Sequence, residues 1–100
     1  MIFSSPAVKR YILNRAEIVA TIRKAGHYKL GKRVVVKLGD KRLYGKVITV
    51  APLTPFSLSR YVEYSGFQSI EEWITEASRL HKTEIDPNKF EIVVVKVAWS

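Results

Sequence analysis

The densest chemistry in this chain lies between positions 15 and 23, where Arg15, Glu17, Thr21 and Arg23 fall within nine residues. On an extended segment Glu17, Val19, Thr21 and Arg23 point one way, while Ile18, Ala20 and Ile22 point the other. The apolar set can then face a core while an acid, a hydroxyl and a guanidinium line one surface. Arg23 offers a planar fork suited to a phosphate or a base edge. Thr21 supplies a small donor and acceptor, and Glu17 either accepts from an exocyclic amine or holds Arg23 in place. Thr21 and Glu17 are also the only catalytic candidates in the segment, since a hydroxyl nucleophile needs a base beside it. A solvated strand face carrying an acid–arginine pair would show the same pattern.

A second cluster is purely cationic. Lys24 follows Arg23 directly, and Lys29, Lys32, Arg33, Lys37, Lys41, Arg42 and Lys46 come in quick succession. Residues 1–50 hold twelve Lys or Arg against Glu17 and Asp40, a balance of +10; residues 51–100 hold five against seven acids, −2. Charge this concentrated points to a polyanionic partner. Phosphate contacts from such a surface supply affinity more than sequence choice. Lysines on a sheet edge also serve simply to keep the edge from pairing with another chain. RNA is the expected partner and DNA the alternative. Tyr28, Tyr44, Tyr61 and Tyr64 are candidates for stacking on bases, whereas Phe3, Phe67, Trp73, Phe90 and Trp99 fall on apolar stripes and read as core.

Other chemistries are absent from the sequence. No cysteine is present, which removes disulfides, thiolate catalysis and cysteine-ligated metals. His27 and His81 stand far apart with no ligand spacing, so neither a metal site nor a cofactor is expected. No phosphate-cradling glycine loop or dinucleotide fingerprint occurs. Asn14, Gln68 and Asn88 are the only amides and Met1 the only methionine, a composition in keeping with a thermophilic source. Ser4-Ser5-Pro6 interrupts the apolar opening, and no run approaches a membrane span. A soluble, cytoplasmic protein is expected, folded as one domain over residues 1–100. The oligomeric state is left open.

The elements that position these residues can be read from local signals. Ser5-Pro6 predicts a helix start, with Val8, Tyr11 and Ile12 on one face and Asn14 as the stop. Glu17–Arg23 reads as a strand. Arg33–Leu38 and Lys41–Val50 form a hairpin about Gly39-Asp40, with Val34, Val36 and Leu38 turned to the core. Thr54 or Ser57 caps a short helix reaching about Tyr64. Ser69-Ile70-Glu71-Glu72 is a capping box, opening a helix whose stripe is Ile70, Trp73, Ile74, Ala77 and Leu80. Asp86-Pro87-Asn88 is a turn, and Phe90–Trp99 a central strand apolar on both faces. The order predicts an α+β fold with a small, mostly antiparallel sheet or curled barrel and flanking helices.

Several segments, in order, resemble the ASCH family of the PUA-like superfamily. They are Ile12-Leu13-Asn14-Arg15, Thr21-Ile22-Arg23, Leu30-Gly31-Lys32, Gly45-Lys46-Val47-Ile48-Thr49-Val50, and Gly66-Phe67-Gln68-Ser69-Ile70-Glu71-Glu72-Trp73. The resemblance covers essentially the whole chain. It implies a PUA-like pseudo-barrel with a ligand cleft between barrel and helices, and RNA as the usual partner. One ASCH branch hydrolyses the acetyl amide of N4-acetylcytidine with a lysine, a threonine and a downstream glutamate. Here Thr21 matches the threonine, but Ile18 stands where that branch has its lysine and Ser65 where the glutamate is expected, with Glu63 nearby.

Three functions follow as expectations. The first is RNA or modified-nucleoside binding in a cleft near Thr21 and Arg23, with Arg15, Lys24, Lys29, Lys32, Arg33, Lys41 and Arg42 on the nucleic acid. The second is a small hydrolase of the ASCH type, an amidohydrolase or a ribonuclease. The third is a protein-interaction module using the acidic helix face at Glu71, Glu72 and Glu76.

Overall fold

The computed structural model describes residues 1–99. Four antiparallel strands form one curled sheet in the order β1-β4-β3-β2, with β1 at Ile18–Lys24, β2 at Arg33–Leu38, β3 at Lys41–Pro52 and β4 at Phe90–Ala98. Three helices pack around it: α1 (Pro6–Leu13), α2 (Pro55–Tyr61), continued by a 3-10 turn at Val62–Tyr64, and α3 (Ile70–His81). The fold is therefore α+β, built on a half-barrel. The last strand is central, as its apolar run requires, with β1 on one side and β3 on the other.

Each face of β4 feeds a separate core. Val93, Val95 and Val97 pack inside the curl with Val19, Val34, Val36, Leu38, Leu43 and Val47, and α1 adds Val8 and Ile12. Ile92 and Val94 pack on the other face with Ala20, Ile22, Leu53, Leu58, Trp73 and Ala77. Two devices make the sheet curl. A bulge between Val47 and Thr49 shifts the β3–β4 register by one residue, and bulges increase local twist. Gly45 faces the inside of the curl, where a β-carbon would lie 2.7 Å from Val95 Cγ1 and 3.0 Å from the Lys96 carbonyl oxygen. Only a residue without a side chain lets β3 and β4 approach so closely there.

The N-terminal segment closes the curl. Ile2 forms a parallel bridge to Lys37 on β2, with hydrogen bonds from Phe3 N to Lys37 O (3.0 Å) and from Lys37 N to Met1 O (2.9 Å). On the other side, Arg23 Nη2 of β1 donates to Ile2 O at 2.9 Å. The segment thus spans from one edge strand to the other.

Helix ends follow their capping residues. Thr54 accepts from the amide of Ser57, and Ser69 from that of Glu72 at 3.1 Å, contacts worth about 1 kcal/mol each. The expected capping box is only half realised, because Glu72 accepts from the Gln68 amide (3.4 Å) instead of reaching back to Ser69. Ser5 starts α1 without a side-chain cap bond. Leu80, expected on the core stripe of α3, is 41% exposed at its C-terminal end. The expected turn at Asp86 forms, with Asp86 Oδ1 accepting from the Asn88 amide at 2.9 Å.

Candidate nucleoside pocket and basic surface

β1 is an edge strand, and its free side is where the two cores meet. Glu17 O accepts from Val97 N (2.7 Å) and Lys89 O from Ala25 N (2.9 Å), so the odd-numbered residues of β1 bond to β4. Alternation then turns the backbone groups of Ile18, Ala20 and Ile22 outward. Tyr11 Oη donates to Ile18 O at 2.7 Å, and His81 Nε2 lies 3.3 Å from Ile22 O. Between them, the outward N–H and C=O of Ala20 have no hydrogen-bond partner among the described residues. Ala20 itself is only 1% exposed, so this donor–acceptor pair lies within the cavity wall rather than open to it.

A cavity of about 200 Å³ opens at this edge, walled by Phe3, Val8, Phe67, Trp73, Ala77 and Leu80. Its polar lining is Thr21, Arg23, Ser65, Glu76 and His81, with Ser4 and Ser5 at the rim. Pockets for drug-sized ligands run from about 300 to 1,000 Å³, so this one suits a single ring system. Gly66 and Phe67 shape its wall. Gly66 adopts φ +89°, and a β-carbon there would sit 3.1 Å from both Val8 Cα and Tyr11 Cβ. That close approach to α1 places Phe67 across the β1 edge, against both cores. Ser65 is buried and locked, donating to Val62 O (2.6 Å) and accepting from Phe67 N (3.1 Å).

Arg23 is the chemically distinctive group. Its Nε donates to Thr21 Oγ1 at 3.1 Å, and its guanidinium lies 4.9 Å from the Phe3 ring centroid. With the bond to Ile2 O, two of its five N–H donors are used. Burial lowers its pKa from the ordinary value, yet an arginine stays charged. No carboxylate pairs with it among the described residues, where the one ion pair is Arg79–Glu76 on α3. That pairing holds Glu76, through the hydrogen bond from Arg79, below the usual carboxylate range.

Thr21 and Arg23 therefore converge as their spacing predicts, but the face they share is not an open one. The N-terminal segment and α1 cover it, and Thr21 is only 9% exposed. Glu17 and Arg15 do not join them. Glu17 is exposed at the start of β1, about 20 Å from Arg23 at the rise of an extended strand. Arg15, in the left-handed region at φ 61°, stacks its guanidinium 5.3 Å from the Trp99 ring, which Lys41 approaches from 5.5 Å. His81 and Glu76 are the pocket residues that spacing does not reveal. Both come from α3, some fifty residues beyond β1 in the chain, and a lone histidine carries no signal of its own.

The basic residues lie elsewhere. Lys24 ends β1; Lys29 and Lys32 occupy the loop before β2, with Lys32 Nζ 5.5 Å from the Tyr28 ring; Arg33 and Arg42 are exposed on the hairpin. None of them lines the cavity. The two regions meet at the N-terminal segment, where burial first, and then the charges of Arg23, Lys37 and Lys32, lower the pKa of the Met1 amino group. Among the tyrosines, Tyr44 is 67% exposed, while Tyr28, Tyr61 and Tyr64 are half-buried against the cores.

Comparison with known proteins adds a relative. Over 95 residues, 95% of this chain and 90% of the other, the sequence is 55% identical to "Uncharacterized protein 105" of Sulfolobus islandicus rod-shaped virus 1. The chain belongs to that protein's family. A member from a virus of a thermophilic host is compatible with the scarcity of labile side chains. No family model matches the chain. No solved structure matches it. No helix among the described residues is long and apolar enough to cross a membrane.

Proposed function

We propose that this protein binds RNA in the manner of a PUA-like domain of the ASCH type, receiving one nucleoside in the cavity at the β1 edge while the basic hairpin holds the flanking backbone. The observation that carries this reading is Arg23: a half-buried guanidinium, fixed in place by two hydrogen bonds and without a carboxylate partner among the described residues. Removing a cation from water is costly unless an acceptor compensates it. A ligand with an electronegative edge provides that acceptor. The apolar walls from Phe67 and Trp73 suit a flat ring.

Hydrolysis makes a further demand, a base on the nucleophile. Thr21 Oγ1 instead accepts from Arg23, and Glu17 is too distant to serve. These contacts favour binding over turnover.

The test is calorimetric titration of free nucleosides, N4-acetylcytidine among them, and of short RNAs and DNAs, at two salt concentrations, with Arg23→Met alongside. A hydrogen bond to a charged group contributes about 1.5–3 kcal/mol, so the variant is expected to bind roughly 10- to 150-fold more weakly. RNA affinity should also fall with added salt. Nucleoside and RNA affinities that are the same for Arg23→Met as for the parent would refute the pocket.

A further inference from the structure

The face of the sheet that carries the second core is only half covered. Helices α2 and α3 bury its Ile92, Val94, Ala51, Ala20 and Ile22. Beyond them the same face continues along β4 to Lys96 and Ala98, both exposed, and neither joins that core among the described residues. Register identifies its neighbours, because directly paired residues of an antiparallel sheet share a face. Lys96 pairs with Lys46, which pairs with Arg33. Ala98 pairs with Tyr44, which pairs with Val35, and in the next row Arg42 pairs with Lys37. Three rows result: a line of three cations across β4, β3 and β2, a central row of Ala98, Tyr44 and Val35, and a second line of two cations.

This arrangement is electrostatically unfavourable by itself. Like charges directly opposite each other destabilise a sheet, and the strands stand only about 4.8 Å apart. None of these five cations has a carboxylate partner among the described residues. At the centre, Tyr44 is 67% exposed between two small neighbours that leave its ring uncovered. Solvated lysines and a chance tyrosine would not need to be arranged with the aromatic between two cationic rows. A chain with phosphates on its outside and bases free to stack would satisfy both features.

We infer that this exposed half of the sheet is a binding platform for single-stranded nucleic acid, on which Tyr44 stacks one base while Arg33, Lys46 and Lys96 on one side and Lys37 and Arg42 on the other neutralise phosphates. The inference rests on reading the protein as a nucleic-acid binder, but it does not depend on the Arg23 pocket. A duplex keeps its bases stacked on one another, so Tyr44 discriminates single strands from double.

The experiment measures binding of a fluorescently labelled short RNA, single-stranded and as its duplex, across a salt series. The proteins are the parent, Tyr44→Leu, Lys96→Gln and Arg23→Met, with free nucleoside and poly-glutamate as separate probes. Stacking on an aromatic contributes about 1–3 kcal/mol per base, so Tyr44→Leu is expected to weaken single-strand binding roughly 5- to 150-fold and duplex binding little. Lys96→Gln should reduce the slope of log affinity against log salt by about 0.7. Neither change should alter free-nucleoside binding, which Arg23→Met weakens. Because both positions are exposed, Tyr44→Leu should melt with the parent, and Lys96→Gln at or slightly above it, since it relieves the repulsion of Lys46. Unchanged single-strand binding by Tyr44→Leu would overturn the platform and leave the pocket standing. Poly-glutamate displacing RNA as readily as unlabelled RNA does would reduce it to a generic cationic face. Weakened nucleoside binding in Arg23→Met, with the platform variants behaving as expected, would support both sites independently.

Discussion

Replacing Gly45 with alanine tests the closest approach in the sheet. The new methyl group would lie 2.7 Å from Val95 Cγ1 and 3.0 Å from the Lys96 carbonyl oxygen, against an ordinary carbon–carbon contact of roughly 3.5–4.0 Å. Neither neighbour can move cheaply. Val95 is fully buried in a close-packed core, and Lys96 O belongs to the backbone of the central strand. Overpacking of this kind costs about 1–3 kcal/mol, offset by roughly 0.5–1 kcal/mol because alanine loses less backbone freedom than glycine on folding. Because one of the two contacts is backbone, the cost falls in the upper middle of that range, about 2–2.5 kcal/mol, and the net destabilisation is about 1–2 kcal/mol. A domain of this size loses about 4–8 °C of Tm per kcal/mol, so circular-dichroism melts should show a drop of roughly 5–15 °C. The loss should shrink in a Val95→Ala background, where the nearer clash is gone but the carbonyl contact remains, giving a measurable coupling. A Tm for Gly45→Ala within about 2 °C of the parent, or an undiminished effect beside Val95→Ala, would refute the claim that this contact sets the curl.

Three further outcomes are expected. Tyr11→Phe removes the donor to Ile18 O and should cost about 1 kcal/mol in urea titrations. Burial raises the Tyr11 pKa above its ordinary value of 10.0, so its neutral form is the one the fold favours. Its contribution is complete below that ordinary value and is lost as pH rises through the raised one; the parent's stability advantage over Tyr11→Phe should vanish at strongly alkaline pH. Lys82 ends α3 at φ 57°, where the Thr83 amide donates to Ser78 O as in a Schellman turn. Glycine adopts that conformation freely, so Lys82→Gly should raise stability by about 0.5–1 kcal/mol, seen as a higher Tm. Gly66→Ala strains a positive φ and meets α1 at 3.1 Å; it should lower Tm and, by shifting Phe67, weaken nucleoside binding in the same titrations used for Arg23.

The elements carry local signals and were legible residue by residue. Ser5-Pro6, Thr54 and Ser69 mark helix starts through the φ they permit and the amides they can cap. Gly39-Asp40 and the alternation of Val34, Val36 and Leu38 fix the hairpin and its buried face. The doubly apolar run from Phe90 announces a central strand, because only a strand covered on both sides tolerates it. The pairing of Thr21 with Arg23 follows from a period of two, and the cationic excess is a matter of counting.

What lay beyond the sequence depends on contacts between distant segments, which local periodicity does not encode. Periodicity puts Glu17 on one face with Arg23 and leaves the place of Arg15 open; only the path of the chain sends Arg15 to Trp99 and leaves Glu17 at the far end of β1. Nothing near His81 or Glu76 reveals that α3 carries them to the edge of a strand formed by residues 18–24. Strand order decides that β1 has a free edge, and so that the cavity opens beside it. The β3–β4 register decides that Lys46 faces Lys96 and that Tyr44 stands between two cationic rows. Sequence alone thus determined the elements and the sign of the surface, because capping, alternation and charge are local quantities. Tertiary structure decided which residues share a site, because that is set by packing two cores on opposite faces of one curled sheet.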